Sequence, residues 1–191
     1  MIQGAIETLA LTIEKDPKQS KSFLKMLEKN SLRLNTIIDD LLSLSRIESG
    51  QPDLISQFKN VNLATVINSV IDQLSSSKKN HSFSINITSE PSNYEIFGHY
   101  DLIYQAIFNL IDNAIKYSHG IITVSVKQKS NFVHIQVEDS GPGIPSEHLP
   151  HLFKRFYRVD TARSRTLGGT GLGLAIVKHI AYIHGGTIDV S

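Results

Sequence analysis

The sequence predicts an α+β protein: a helical hairpin suited to a dimeric four-helix bundle, followed by a two-layer domain with helices on one face of a sheet. Two observations support this prediction. Apolar residues recur at helical spacing throughout residues 1–50, and beyond residue 52 the period alternates between helical and strand-like. We therefore expect a hairpin domain over residues 1–52 and a second domain over residues 53–191.

Heptad spacing characterises the hairpin. The apolar stripe of its first helix consists of Ile2, Ile6, Leu9 and Ile13. Asp16 can then cap the next helix, and Pro17 suits the first helical position. The seam of the second helix consists of Phe23, Leu27, Asn30, Leu34, Ile37, Leu41 and Leu44. Leu24, Ile38 and Leu42 widen this apolar face beyond what one neighbouring helix can cover, so a homodimer is expected.

Helical and strand-like stretches alternate in the second region. Helices are predicted over 63–74, 101–118 and 171–184, strands over 83–87, 122–126, 133–137 and 186–190, and a loop with a short helix over 140–170. The strands over 122–126 and 133–137 lie close enough along the chain to form a hairpin. This order predicts helices packed on one face of a sheet.

Composition excludes several functional classes. The formal net charge is +1, from 19 basic and 18 acidic residues, which argues against a nucleic-acid binder. Cysteine is absent, so disulfides and thiolate sites are excluded. No apolar run reaches the roughly 18 residues that a membrane span needs. The sequence as given therefore reads as a soluble protein or the soluble piece of a larger one.

Four polar residues share one face of the helix over 101–118. Asn109, Asn113, Lys116 and Tyr117 follow one another at spacings of four, three and one, so their side chains point the same way. Amide oxygens suit Mg²⁺, and lysine supplies a point charge for phosphate. An ordinary solvated polar face explains the pattern equally well at this point.

A second element follows the strand over 133–137. Asp139 has the same parity as the apolar residues of that strand, so we expect it to point to the buried side and to need a donor. An adenine amino group would serve as that donor. Gly141 and Gly143 let the backbone approach a ligand and turn sharply. The alternative is a simple turn with a capping aspartate.

Two further elements lie near the C-terminus. The glycine loop, residues 169–173, carries Gly169, Gly171 and Gly173 and leads into a helix whose free amide hydrogens attract anions. The aromatic segment, residues 153–158, can anchor the region through its rings, and its Arg158 can face phosphate. For Arg163 and Arg165 a solvated basic face is the preferred interpretation.

In this order and spacing, the four elements resemble the N, G1, F and G2 boxes of bacterial sensor histidine kinases, and residues 2–50 resemble their dimerisation helices. The phosphate-regulon and related cell-wall sensors are the subtype that the chain is most similar to. The resemblance implies a Bergerat-type pocket for ATP and Mg²⁺ under a mobile lid. It also implies a homodimer, a response-regulator receiver domain as partner, and a place in the cytoplasmic portion of an inner-membrane sensor.

The resemblance also implies a role for each motif residue. Asn113 ligates Mg²⁺ with Asn109 nearby, Lys116 contacts phosphate, and Tyr117 lines the nucleotide pocket. Asp139 accepts from the adenine amino group, and Arg158 steadies the γ-phosphate. The glycines shape the pocket and form the lid hinge and phosphate cradle; they are Gly141, Gly143, Gly169, Gly171 and Gly173.

Such kinases pass the γ-phosphoryl group to a histidine and then to a response-regulator aspartate. The reaction asks mainly for alignment and charge neutralisation. Related ATPases such as gyrase carry a water-activating glutamate where Asn109 stands here, and an amide cannot act as that base. The sequence therefore favours phosphoryl transfer over hydrolysis. A Bergerat-fold ATPase, or a non-catalytic dimerisation module with a vestigial nucleotide site, is the alternative.

The sequence departs from the family pattern at three places. The resemblance puts the acceptor histidine roughly two helical turns before Met1, so these 191 residues are expected to bind ATP–Mg²⁺ without phosphorylating themselves. His99 stands where the family has a capping aspartate, which predicts a weaker helix cap. The family's final strand would follow Ser191, so the strand over 186–190 is expected to lack a neighbour.

Overall fold

A computed structural model describes residues 3–4, 6–7, 17–49, 52–77, 84–89, 94–118, 120–160 and 169–191. The predicted cap at Asp16, the arginines at 163 and 165, and the apolar positions 2, 9 and 13 lie outside these ranges. The chain divides into two compact units, Met1–Leu42 and Ser43–Ser191. The predicted domain boundary at residue 52 stays a prediction.

The first unit consists of helix. Residues 3–4 and 6–7 are helical, and α1 is described over Pro17–Glu48. Half-buried side chains follow one face of α1 at Phe23, Leu27, Asn30, Arg33, Ile37 and Asp40. Leu34 and Leu41 of the predicted seam are 47% and 39% exposed in the single chain. Each lies one residue, about 100° of rotation, from a half-buried polar residue. They join an exposed apolar face with Leu24, Ile38 and Leu42.

The second unit combines helices with two small sheets. After the end of α1 come α2 (Pro52–Ser56), β1 (Lys59–Asn62), α3 (Leu63–Ser77), β2 (Ser84–Ser89), β3 (Glu95–Gly98), α4 (Tyr100–Tyr117), β4 (Ile121–Lys129), β5 (Phe132–Asp139), a 3₁₀ helix (Ser146–His151) and α5 (Gly173–Ile183). The predicted helices and the predicted hairpin of β4 and β5 are therefore confirmed.

The larger sheet has the strand order β2-β4-β5, with β2 parallel and β5 antiparallel to β4. One side of β4 is buried under α3 and α4. The residues of this core include Val66, Val70, Ile107, Ile111, Ile122 and Val124. The predicted α+β arrangement is confirmed. The register pairs Ile122 with Asp139, which places Asp139 at the last position of β5, beside the C-terminal half of the α4 core.

Two strands were not predicted, and one predicted strand is absent. β1 and β3 pair antiparallel as a separate two-stranded sheet. Each has only four residues, too few to show an alternating pattern. Residues 186–190 form no strand, and within the described ranges no strand pairs with them. A β-segment without a neighbour leaves its backbone groups to water, so the extended conformation gains no ladder.

No helix in the described part of the chain is both long enough and apolar enough to cross a membrane. His99 lies at the N-cap of α4 and makes no side-chain cap hydrogen bond, in line with the weaker cap expected there. Its ring instead hydrogen bonds through Nε2 to Gln57 Oε1 at 3.0 Å. The start of α4 is therefore tied to the loop before β1.

His184, just after α5, links the end of α5 to the start of α4 through a neutral imidazole ring. Its Nδ1 donates to the Ile180 carbonyl at 2.8 Å, and its Nε2 accepts from the His99 backbone N–H at 3.0 Å. Phe58 stacks on the ring with centroids 4.7 Å apart. Burial lowers the pKa of His184 below its usual 6.5; the Ile180 carbonyl opposes this shift and His99 adds to it.

The lowered pKa of His184 predicts that the folded protein becomes less stable as the pH is lowered. Below pH about 6.5 the unfolded chain binds a proton at this residue while the folded chain resists it, so the free energy of unfolding decreases as the pH falls. Urea unfolding at pH 7.5 and 5.5 measures the change. His184→Gln removes the titration, and we expect the variant to lose less stability over this interval. An equal loss in both proteins would contradict the assignment.

Candidate functional site

The C-terminal half of α4 presents the predicted polar face. Asn109, Asn113, Lys116 and Tyr117 are all half-buried, whereas Ile111 on the opposite side is fully buried. The side-chain nitrogen of Asn109 is buried and has no hydrogen-bond partner among the described residues. A buried amide in this state costs free energy unless something pairs with it. It therefore fits a ligand that offers oxygen acceptors, such as a phosphate.

Asn109 lies against the start of α5. A Cβ atom added at Gly173 would stand 3.4 Å from Asn109 Oδ1 and 3.5 Å from its Cγ. These are ordinary contact distances, so the side-chain amide of Asn109 on α4 lies directly beside the backbone at the start of α5. The predicted amide element and the glycine loop thus meet in the structure.

The Lys116 ammonium forms an ion pair within α4. Its Nζ pairs with Asp112 Oδ2 at 2.5 Å, one turn earlier on α4, and both side chains are largely buried. Asp112 was not among the site residues predicted from the sequence, although an acid four residues before a lysine on a helix is a recognisable ion-pair signal. A phosphate contact by Lys116 would have to share the ammonium with this carboxylate.

Asp139 ends β5 and turns the chain. Its Oδ1 accepts from the Gly141 backbone N–H at 2.7 Å. Its pairing with the buried Ile122 places Asp139 on the predicted side of the sheet, but the residue itself is exposed. Asp139 follows the half-buried Val137 by two residues, at the end of β5, where the strand extends past the part of the sheet that α4 covers. One carboxylate oxygen remains available for a donor from outside the chain.

The turn after Asp139 packs against the end of α4. A Cβ atom at Gly141 would stand 3.0 Å from the Tyr117 carbonyl oxygen and 2.6 Å from Asp139 Oδ1, so a larger residue does not fit. The hydroxyls of Ser118 and Ser140 add a hydrogen bond at 3.3 Å between the same two segments. Gly143 has a φ of +73° with open space around it, so it needs glycine for conformation alone.

The glycine loop packs against the aromatic segment. Gly171 has a φ of +77°, and a Cβ atom there would lie 2.9 Å from the backbone of Phe156. The Phe156 N–H donates to the Gly171 carbonyl at 2.8 Å. Arg158 donates to the Gly169 carbonyl through Nη2. The two elements that flank the undescribed residues 161–168 are therefore joined by backbone contacts.

Phe156 itself adopts an unusual conformation. Its φ is +61°, in the left-handed region that bulky residues avoid, and the residue is 56% exposed. Such a backbone persists only where the surroundings fix it, here through the hydrogen bond to Gly171. Thr170 fixes the other side of the loop, since its hydroxyl accepts from the Leu172 N–H at 3.2 Å. Neither contact was foreseen from the sequence.

The structure thus links the predicted elements pairwise: Asn109 with Gly173, Tyr117 with Gly141, and Gly171 and Gly169 with the aromatic segment. Among the described residues, no group of three His, Asp or Glu side chains could hold a metal ion. A divalent cation here would depend on amide oxygens and on oxygens of a ligand, which is how Mg²⁺ accompanies nucleotide phosphates.

Two family models match the chain. The family described as histidine kinase-, DNA gyrase B- and HSP90-like ATPase matches residues 98–191. The His Kinase A (phospho-acceptor) domain matches residues 1–50. The first match contains every predicted nucleotide-site residue from Asn109 to Gly173, and the second contains the predicted helical hairpin.

Individual proteins are similar over nearly the whole chain. The sensor-like histidine kinase SenX3 of Mycolicibacterium smegmatis is 37% identical over 97% of this chain and 49% of its own length. The sensor histidine kinase WalK of Bacillus subtilis is 34% identical over 98% of this chain and 31% of its own length. The solved Acinetobacter baumannii histidine kinase AdeS superposes with a TM-score of 0.71 at 27% identity, covering 95% of this chain and 81% of that one. The chain spans about half the length of the curated relatives it matches, or less.

Proposed function

The chain belongs to the sensor histidine kinases of bacterial two-component systems, and we propose that its second unit binds ATP–Mg²⁺ so that the whole protein transfers the γ-phosphoryl group to a histidine and then to a response-regulator aspartate. The observation that carries this proposal is the unpartnered amide of Asn109 beside Gly173. A buried donor next to the start of a helix suits a phosphate oxygen.

The amide face of α4 would hold the cation. Asn113 and Asn109 offer oxygens on one helix face, and Mg²⁺ takes oxygen ligands while keeping the phosphates as partners. When bound, the ion would neutralise charge on the transferring phosphate. Lys116 would add a positive charge, shared with Asp112 at 2.5 Å. The half-buried position of these side chains supports the assignment because burial strengthens such interactions.

The remaining residues would contact the nucleotide at its adenine end and at its phosphate end. Asp139 would accept from the adenine amino group with the oxygen that Gly141 leaves available, and Tyr117, with Gly141 and Gly143, would line that end. Gly169, Gly171 and Gly173 would present backbone amides to the phosphates. Arg158 would steady the γ-phosphate, and its link to the Gly169 carbonyl supports a position beside the glycine loop.

Phosphoryl transfer rather than hydrolysis follows from the chemistry of Asn109. An amide cannot take a proton from water, whereas a histidine acceptor is itself the nucleophile and needs no such base. The matching family includes hydrolysing members by its own description. The amide at residue 109 therefore favours the kinase branch for this chain.

The exposed apolar face of α1 supports a homodimer. It consists of Leu24, Leu34, Ile38, Leu41 and Leu42, each at least 39% exposed in the single chain. These positions recur at helical spacing and form one stripe, which a second copy can cover in a four-helix bundle. We place the boundary between this dimerising hairpin and the nucleotide domain near residue 52, and the whole protein's partner would be a receiver domain.

Localisation is proposed from the relatives alone. Curated relatives are named as sensor kinases and extend well beyond the stretch that matches this chain. We place the chain in the cytoplasmic portion of an inner-membrane sensor.

Incubation with γ-labelled ATP and Mg²⁺ tests the proposed activity. Residues 1–50 contain no histidine, so the 191-residue chain is expected to bind ATP without taking up acid-labile label. The chain can also be mixed with a full-length relative whose nucleotide site has been inactivated. In that mixture, the nucleotide site of the chain has a histidine to phosphorylate only if a mixed dimer forms. Calorimetry measures ATP binding. Acid-labile label on the chain incubated alone would contradict the expectation that it does not phosphorylate itself. No detectable ATP binding would favour the vestigial-site alternative.

A further inference from the structure

The end of α1 is built into the second unit. Residues 43–48 belong to the unit Ser43–Ser191, and Leu44 and Ile47 are buried there at 1% and 2% exposure. Ser43 donates through its hydroxyl to Gln105 Oε1 on α4 at 2.8 Å. These contacts fix the last turn of α1, and they determine where the side chain of Glu48 can reach.

The Glu48 carboxylate contacts side chains on two different elements. Arg155 in the aromatic segment donates through Nη2 to Glu48 Oε1, and His179 on α5 lies with Nε2 3.1 Å from the same oxygen. His179 follows Gly173 by six residues on the helix that the glycine loop leads into. One carboxylate therefore ties the aromatic segment to α5.

The residues that follow Arg155 contact the glycine loop. The next residue, Phe156, donates its N–H to the Gly171 carbonyl from a backbone with φ of +61°. Two residues further, Arg158 donates to the Gly169 carbonyl. A bulky residue keeps a left-handed conformation only where several contacts fix it. Arg155 and Glu48 supply one of these contacts.

We propose that Glu48 is a positioning residue for the phosphate end of the nucleotide site. By holding Arg155 and His179, it sets the aromatic segment against α5 and thereby places Arg158 beside the glycine loop. This inference rests on the proposed function, since it assumes that Arg158 and the loop meet the phosphates. Asp139 lies on another element, so Glu48 affects the phosphate end and leaves the adenine end unchanged.

Glu48→Gln tests the inference in the complete 191-residue chain, with Mg²⁺–ATP and Mg²⁺–ADP as titrated ligands. The Glu48 and Arg155 side chains are 29% and 48% exposed, so their pairing is worth at most about fivefold in an equilibrium constant. We expect ATP affinity to fall about twofold to fivefold while ADP affinity stays unchanged. Arg155→Gln is expected to give the same selective loss. Glu95→Gln, an exposed acid on β3, is the matched control and is expected to change neither affinity.

A charge swap separates positioning from simple loss of structure. Glu48→Arg alone is expected to lower the ATP-to-ADP affinity ratio, and Glu48→Arg combined with Arg155→Glu to restore it. An unchanged ratio in Glu48→Gln, an equal loss for both nucleotides, or no recovery in the double variant would each overturn the inference while leaving the proposed function intact. Absence of ATP binding in the unaltered chain would overturn both.

Discussion

Replacing Asp139 with alanine is expected to weaken ATP binding about tenfold to a hundredfold. The substitution removes the acceptor that would pair with the adenine amino group, and losing a hydrogen bond to a charged group costs about 1.5–3 kcal/mol. It also removes the bond from the Gly141 N–H to Asp139 Oδ1, which shapes the turn beside Tyr117. Calorimetric titration with ATP measures the affinity, and circular dichroism checks that the fold is kept.

Two variants separate the contributions of Asp139. Asp139→Asn keeps one acceptor oxygen but replaces the other with an amide NH2, which cannot accept a hydrogen bond, and it removes the charge. We expect a loss of affinity no larger than that of Asp139→Ala. Glu138→Ala removes a neighbouring exposed acid, whose carboxylate accepts a hydrogen bond from the Gln136 side chain, and is expected to bind ATP as the parent does. Normal ATP binding by Asp139→Ala would remove the adenine assignment.

The second large effect is expected at Gly171, where alanine should both destabilise the second unit and weaken ATP binding. Its φ of +77° costs an L-residue about 1–2 kcal/mol. In addition, the new Cβ atom would lie 2.9 Å from the Phe156 backbone, which cannot move without losing its hydrogen bond to Gly171. Overpacking of this kind costs about 1–3 kcal/mol more. Urea unfolding measures the stability, and calorimetry measures the affinity.

Gly185→Ala is the matched control for Gly171. Gly185 has a φ of +71° and open space where its Cβ atom would be, so its substitution carries the conformational cost without the clash. We expect Gly185→Ala to lose about 1–2 kcal/mol of stability and to keep its ATP affinity. Equal losses of stability in the two variants would show that the Phe156 backbone shifts to accommodate the new Cβ atom. The close packing of the glycine loop against the aromatic segment would then not contribute to stability.

The nucleotide motifs were readable because their members lie close together in the chain. Asn109, Asn113 and Lys116 share a face through helical geometry alone, and α4 runs from Tyr100 to Tyr117 as its spacing predicts. The glycine loop was found for a similar reason, since a helix start is a local feature. Their meeting at Gly173 needed the fold, because 64 residues separate Asn109 from Gly173 along the chain (173 minus 109).

The sequence by itself determined the helices, the hairpin of β4 and β5, and the residue types of the site, because a period of 3.6 or 2 is imposed by neighbours a few residues away. Only the tertiary structure decided which side chains are covered. It paired β1 with β3, exposed Asp139 at the end of its strand, and left residues 186–190 without a ladder. It also brought Glu48 to Arg155 and His179. Such contacts join residues that are distant in the chain, and no local period records which distant surface a side chain will meet.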